Sequence, residues 1–136
     1  MDDKLREEPY PFQAHLGFTI DEWSDGYCLL TQPMVPHLGN RYGIPHGGVL
    51  ATLLDTALGY ASCFTGDPDD KQLAMTLSLN VQYLSVGRGE KLIAEGRKIG
   101  GGKTVAFTEG TVKDENGTLI ATATGTFKYR SGKGKP

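Results

Sequence analysis

Cysteine is scarce in this chain. Cys28 and Cys63 are the only two in 136 residues, too few for a disulfide framework and in no metal-ligand or redox spacing. A surplus of one charge is also missing. Fourteen basic residues against sixteen acidic ones leave a net charge of −2, which offers no electrostatic case for nucleic acid. Long hydrophobic runs are absent as well. The longest charge-free stretch, residues 72–87, alternates apolar with polar positions and falls short of the ~20 apolar residues a membrane helix needs. The opening Met1-Asp2-Asp3-Lys4 is charged and no apolar core follows it, so no signal peptide is expected. These absences together predict a cytoplasmic domain with reduced thiols and no membrane partner. The histidines are not at ligand spacing and no phosphate-loop motif occurs, so no metal or cofactor is implied.

What the chain does have is glycine. Nineteen of 136 residues is about twice the usual ~7%, without a collagen-like period. Glycines that dense mark turns and close backbone approaches. The length suits one domain.

Residues 1–14, with Pro9 and Pro11, read as an N-terminal arm. Leu16, Phe18 and Ile20 then alternate with Gly17, Thr19 and Asp21 as in a strand. Ser24-Asp25-Gly26 supplies a turn into a second strand over Tyr27 to Gln32. A long irregular connection with Pro33, Pro36 and Pro45 follows, and such loops are more often functional than idle. Val49, Leu50, Leu53, Leu54, Ala57, Leu58 and Ala61 recur at helical spacing, predicting a helix from Gly47 to Phe64. Its other face, Thr52, Asp55, Thr56, Gly59 and Ser62, is made of small residues with one charge. A surface helix would show lysines and glutamates there, so this helix is expected to be covered on nearly all sides. The rest reads as four strands. The clearest is Leu73 to Tyr83, with apolar residues at every second position; the last two are joined at Asp114-Glu115-Asn116-Gly117. Residues 130–136 read as a flexible tail. Two strands, one buried helix and four strands show no βαβ alternation, so the expected class is α+β with an antiparallel sheet. One sheet covers only part of such a helix, which makes a second copy of the chain the natural candidate for the small-residue face.

The stretch Asn40-Arg41-Tyr42-Gly43-Ile44-Pro45-His46-Gly47-Gly48, with Asp55 nine residues after the histidine, carries the chemistry. Gly47 and Gly48 open the helix, where backbone N–H groups lack intrahelical partners and the dipole favours negative charge. That is a ready oxyanion site, and His46 beside it can donate to the same oxygen. Asp55 lies roughly 12 Å along the axis from Gly47, too far to reach an oxygen held at its own helix start. Two antiparallel helices from two subunits would bring Asp55 of one to His46 of the other. An enclosed carboxylate can act as a general base or as a nucleophile.

His46-Gly47-Gly48-Val49-Leu50-Ala51-Thr52-Leu53-Leu54-Asp55-Thr56-Ala57 resembles the signature of hotdog-fold acyl-CoA thioesterases of the phenylacetate-pathway (PaaI-like) type. Asn40, Thr76 to Leu84 and Gly101 to Phe107 are similar to that family too. The resemblance covers roughly residues 15–129. It implies a sheet of five or six strands wrapped around one long helix, with two sheets joined in a dimer or a dimer of dimers. It further implies Asp55 as nucleophile or base, and Gly47 N–H with His46 polarising the thioester oxygen. Asn40 would orient water or the carboxylate, and Gly48 would lie against the substrate. Thr76 falls where members hold water, often across the dimer interface. Arg88, Lys91, Arg97, Lys98 and Lys103 would be a solvated basic surface by default. Arg88 and Lys103 are the candidates for coenzyme A phosphates. His15 and His37 read as structural, and the cysteines as small core residues.

Hydrolysis of an aromatic or medium-chain acyl-CoA is the leading expectation, with coenzyme A as part of the substrate and no separate cofactor. A non-catalytic acyl-CoA sensor on this fold is the alternative, disfavoured by the presence of Asp55 and the short stretch before the first strand. A hotdog hydratase or dehydratase pairs a histidine and an acid in a different arrangement. The acyl group itself is not legible in the sequence.

Overall fold

The computed structural model describes residues 1–130. Most of the expected tail, residues 131–136, lies outside the described residues. The chain runs α1 (Pro11–Leu16), β1 (Thr19–Ser24), β2 (Tyr27–Pro33), α2 (Gly47–Cys63), β3 (Ala74–Tyr83), β4 (Lys91–Gly101), β5 (Val105–Asp114) and β6 (Leu119–Tyr129). Short 3-10 turns occupy Asp3–Leu5 and Pro36–Leu38. The six strands form one antiparallel sheet in the order β1-β2-β4-β5-β6-β3. The sheet carries α2 on one face, as expected for a hotdog fold. No helix among the described residues is long and apolar enough to cross a membrane.

The helix packs by the spacing read from the sequence. Val49, Leu50, Leu53, Leu54, Ala57, Leu58 and Ala61 are all buried. They meet Leu30, Leu92, Ala94, Val112, Ile120, Ala121, Ala123 and Phe127 from the strands. Two of the surplus glycines explain how closely the layers approach. A Cβ on Gly96 would lie 2.6 Å from the Ala57 carbonyl oxygen, and one on Gly110 would lie 2.5 Å from Leu58 Cδ1. Gly96 and Gly110 face each other across β4 and β5, so the middle of the sheet is a shallow seat for the helix. Gly96→Ala is expected to destabilise the domain by about 1–3 kcal/mol, the usual cost of overpacking. The clash is with helix backbone, which has no rotamer to change. Urea unfolding of the variant checks it.

The N-terminal region departs from the strand expected to begin at Leu16. Pro11 is set to start a helix, and Gly17, with φ of 91°, ends it as a left-handed cap whose N–H returns to the Gln13 carbonyl at 2.7 Å. Leu16, Phe18 and Ile20 are buried as their alternation required, but Leu16 points inward from α1 rather than from β1. The expected boundary at residue 15 thus falls inside α1. At the other end, the Arg130 N–H donates to the Leu73 carbonyl at 2.9 Å, continuing the β3–β6 pairing past the expected end of the domain.

The strict alternation of β3 is broken by a bulge between Thr76 and Ser78. One extra residue inverts the facing of everything beyond it. Ala74 and Thr76 face α2 before the bulge, opposite Tyr129 and Phe127. Leu79, Val81 and Tyr83 face it afterwards, opposite Gly125, Ala123 and Ala121. The apolar series read as one face is therefore divided: Met75 and Leu77 stay exposed at 54% and 56%, while Leu79 and Val81 join the core.

Candidate functional site

The loop before α2 is built by Asn40. Its Oδ1 accepts from the N–H groups of Tyr42 (2.8 Å) and Ile44 (3.4 Å). Its own N–H donates to the Ile44 carbonyl at 2.8 Å. With the carbonyl end so engaged, any bond to water or a carboxylate must come from Nδ2. Gly43, with φ of 77°, makes the tight return, and the His46 N–H then donates to the Leu38 carbonyl at 2.9 Å. His46 is delivered by this loop as the N-cap of α2.

His46 Nδ1 accepts from the Gly48 N–H at 2.8 Å. That bond assigns the proton of the neutral ring to Nε2, leaving a donor directed away from the helix. The Gly48 N–H is already donated, and the glycine is required by the ring itself. A Cβ there would lie 3.0 Å from His46 Nδ1 and 3.3 Å from Cε1. Among the described residues the Gly47 N–H has no acceptor. Tyr83, at the end of β3, pins this helix start. Its hydroxyl donates to the Gly47 carbonyl at 2.9 Å, and its ring lies 3.4 Å from where a Gly47 Cβ would be. The clue in the sequence was its place at the end of β3; its inward facing depended on the bulge.

Gly48→Ala separates the two properties. Alanine gains up to about 1 kcal/mol over glycine in a helix, and losing the His46 cap costs about 1 kcal/mol, so stability is expected to hold. The displaced imidazole should lower turnover by at least about tenfold, up to the 10²–10³-fold that one oxyanion donor is worth. Thermal unfolding and steady-state kinetics on the same sample check this.

Asp55 sits two turns along α2, half-buried. Its Oδ1 accepts from the Thr76 hydroxyl at 2.7 Å. The family resemblance implies that Thr76 helps hold water, often across a dimer interface. Here it orients Asp55 within the same chain, because the β3 bulge keeps Thr76 on the helix side. Asp55, Thr56 and Gly59 open onto a cleft of about 770 Å³, within the range of small-molecule sites. The small-residue face is thus partly roofed by the chain's own N-terminal segment. Burial raises the Tyr10 phenol above its ordinary value; a hydrogen bond to Thr56 opposes the shift and the Asp55 charge adds to it. Tyr10 is a site neighbour that no motif signalled.

His46 and Asp55 of one chain are not brought together, being roughly 13.5 Å apart along the helix. Nor do Arg88 and Lys103 share a location. They flank β4 at opposite ends, roughly 35 Å apart at strand rise. Arg88 lies at the Tyr83 end with the helix start. Its N–H donates to Asp114 Oδ2 at 3.3 Å. Lys103 lies exposed in the β4–β5 turn. The two thiols are quiet: burial pushes Cys28 up to about 12 and Cys63 up to about 11. The His15 and His37 rings are 6.0 Å apart, and no group of three or more metal-ligating side chains occurs among the described residues.

The sequence model of the thioesterase superfamily matches residues 42–121, from the loop that carries His46 into β6. The chain belongs to that superfamily. A curated relative, the medium/long-chain acyl-CoA thioesterase YigI of Escherichia coli K12, is 31% identical over 132 residues, covering 86% of this chain and 84% of its own. A thioesterase family protein from Silicibacter pomeroyi superposes with a TM-score of 0.78 at 28% identity, covering 88% of this chain and 89% of that one. The E. coli PaaI protein from the phenylacetic acid degradation operon gives a TM-score of 0.80 at 21% identity over 91% of this chain and 87% of its own, a likeness of fold. In this thioesterase-superfamily chain, then, the matched segment contains both halves of the site: the pinned imidazole at the helix start, and the carboxylate further along the same helix.

Proposed function

We propose that this chain hydrolyses acyl-CoA thioesters to a carboxylic acid and free coenzyme A, using a site shared by two copies. The observation that carries this reading is the tautomer of His46. Held by the Gly48 N–H, the ring keeps Nε2–H as a donor, and the next residue, Gly47, has an N–H without an acceptor among the described residues; both are donors of the kind a developing oxyanion needs. Asp55 of the partner copy would face the carbonyl carbon. As base, it takes a proton from water while the water oxygen bonds to that carbon. The carbon–sulfur bond then breaks, the electron pair leaves on sulfur, and the proton passes to the thiolate. As nucleophile, Asp55 bonds the carbon itself, and the carbon–sulfur bond breaks with its electron pair leaving on sulfur; water then hydrolyses the resulting anhydride, which frees the acid, returns the Asp55 carboxylate and supplies the proton that the thiolate takes up. Thr76 fixes the carboxylate in either case. No other cofactor is called for.

The pairing of copies is supported by β3. Among the described residues it is a free edge of ten residues with exposed Met75 and Leu77, which a second β3 would complete as a continuous sheet. Joining two copies there is also consistent with Arg88 of one and Lys103 of the other reaching a single coenzyme A. The YigI likeness favours medium- or long-chain acyl groups, and a cleft of about 770 Å³ also leaves room for an aromatic acyl group. Free-thiol release from acetyl-, hexanoyl-, dodecanoyl- and phenylacetyl-CoA tests the reading. At least one should be hydrolysed far above the no-enzyme rate; a flat panel with folded protein overturns it.

A further inference from the structure

The cleft beside Asp55 is walled in part by the N-terminal segment, which lies outside both the motif and the residues the superfamily model matches. Its floor is Thr56 and Gly59 of α2, and one wall is Leu73 and Ala74. Lys4, Leu5, Arg6, Glu7, Glu8 and Tyr10 of the N-terminal segment line it as well. Glu7 ties that segment down on both sides. Its Oε1 accepts from the Tyr60 hydroxyl at 3.2 Å, and its Oε2 pairs with Lys71 Nζ at 3.0 Å. Tyr60 belongs to α2 and Lys71 to the loop before β3, so one carboxylate bridges the two banks. Behind it, the Trp23 indole donates to the Tyr60 carbonyl at 2.7 Å and packs edge-on against its ring at 5.1 Å.

Tyr60 is five residues beyond Asp55, roughly 7.5 Å along the helix axis. Between carboxylate and bridge there is room for a short or compact acyl group, and a long chain would run into the Glu7 crossing. The bridge is also easily opened. The Glu7 and Lys71 side chains are 34% and 47% exposed, and exposed pairs of this kind hold weakly.

We propose that Glu7 is a specificity-determining residue, its bridge to Tyr60 and Lys71 limiting the length of acyl chain the cleft accepts. This rests on the acyl-CoA thioesterase reading. The N-terminal segment thereby acts as a latch: closed over short acyl groups, and opened at a cost by long ones. Glu7 touches no reacting atom, so its removal shifts chain-length preference rather than turnover on short substrates.

The test compares wild type with Glu7→Ala and Lys71→Ala, each confirmed folded by thermal unfolding. The ratio of kcat/KM for hexadecanoyl-CoA to that for hexanoyl-CoA should rise roughly 2–5-fold in both variants, the range expected from losing an exposed ion pair. Trp23, the single tryptophan, gives a readout that does not depend on catalysis. Its fluorescence is titrated with hexanoic and hexadecanoic acid, and the affinity ratio should move the same way. An unchanged ratio in either variant overturns the latch. If wild type hydrolyses no acyl-CoA, the thioesterase reading falls. The fatty-acid titration still decides the latch, since variants with an unshifted affinity ratio refute it and a shift towards hexadecanoic acid upholds it.

Discussion

Asp55→Asn is expected to abolish most turnover while leaving the fold and acyl-CoA binding in place. The substitution keeps the shape of the side chain and still offers an oxygen to the Thr76 hydroxyl, which now bonds Oδ1 at 2.7 Å. It removes the negative charge that a base or nucleophile needs. General-base assistance is worth about 10²–10⁴-fold, and a nucleophilic role would cost at least as much. The loss should fall on kcat with KM little changed, because the carboxylate acts most strongly in the transition state. His46→Ala should cost less, since the Gly47 N–H remains; one oxyanion donor is worth roughly 10²–10³-fold. Steady-state kinetics with the best acyl-CoA of the panel measures both. A folded Asp55→Asn protein with near wild-type turnover would make Asp55 structural and leave acyl-CoA binding without cleavage as the better reading.

Mixing the two inactive variants should restore activity. If each site takes His46 from one copy and Asp55 from the other, a hybrid of Asp55→Asn with His46→Ala has one site with both groups intact and one with neither. Random pairing of equal amounts makes half the dimers hybrid, each with one working site of two. Recovery should therefore reach about a quarter of wild-type turnover, against the 10²-fold or greater deficit of either variant alone. Co-expression with two affinity tags isolates the hybrid. The measurement separates a shared site from a single-chain one: if hybrids stay as inactive as their parents, the groups act within one chain. Such a chain would have to move the helix start far from where Tyr83 holds it, through its 2.9 Å bond to the Gly47 carbonyl.

Several features were legible because they depend on near neighbours in sequence. The helix of α2 follows from apolar residues at three- and four-residue spacing, and the β5–β6 hairpin from Asp114 to Gly117. The helix start at Gly47 was readable because His46-Gly47-Gly48 combines a cap with two residues free of side chains. The N-terminal segment misled for the same local reason. Leu16, Phe18 and Ile20 alternate as a strand would, yet Pro11 and Gly17 were the stronger signals, fixing the start and end of α1.

The sequence by itself determined the order of the six strands and α2 and the buried face of that helix, and it singled out His46, Gly47 and Asp55 as candidates with chemistry to offer. It also determined that one helix holds the two halves too far apart, since helical rise is the same in any context. Only the tertiary structure decided which nitrogen of His46 is free, because that depends on the Gly48 N–H meeting the ring at 2.8 Å. It likewise decided that Thr76 orients Asp55. The β3 bulge that turns Thr76 inward is set by pairing with β6, a relation between residues some fifty positions apart. The cleft, its Glu7 crossing and the seat made by Gly96 and Gly110 belong to the same class. Each is a contact between distant segments, governed by close packing that no local pattern records.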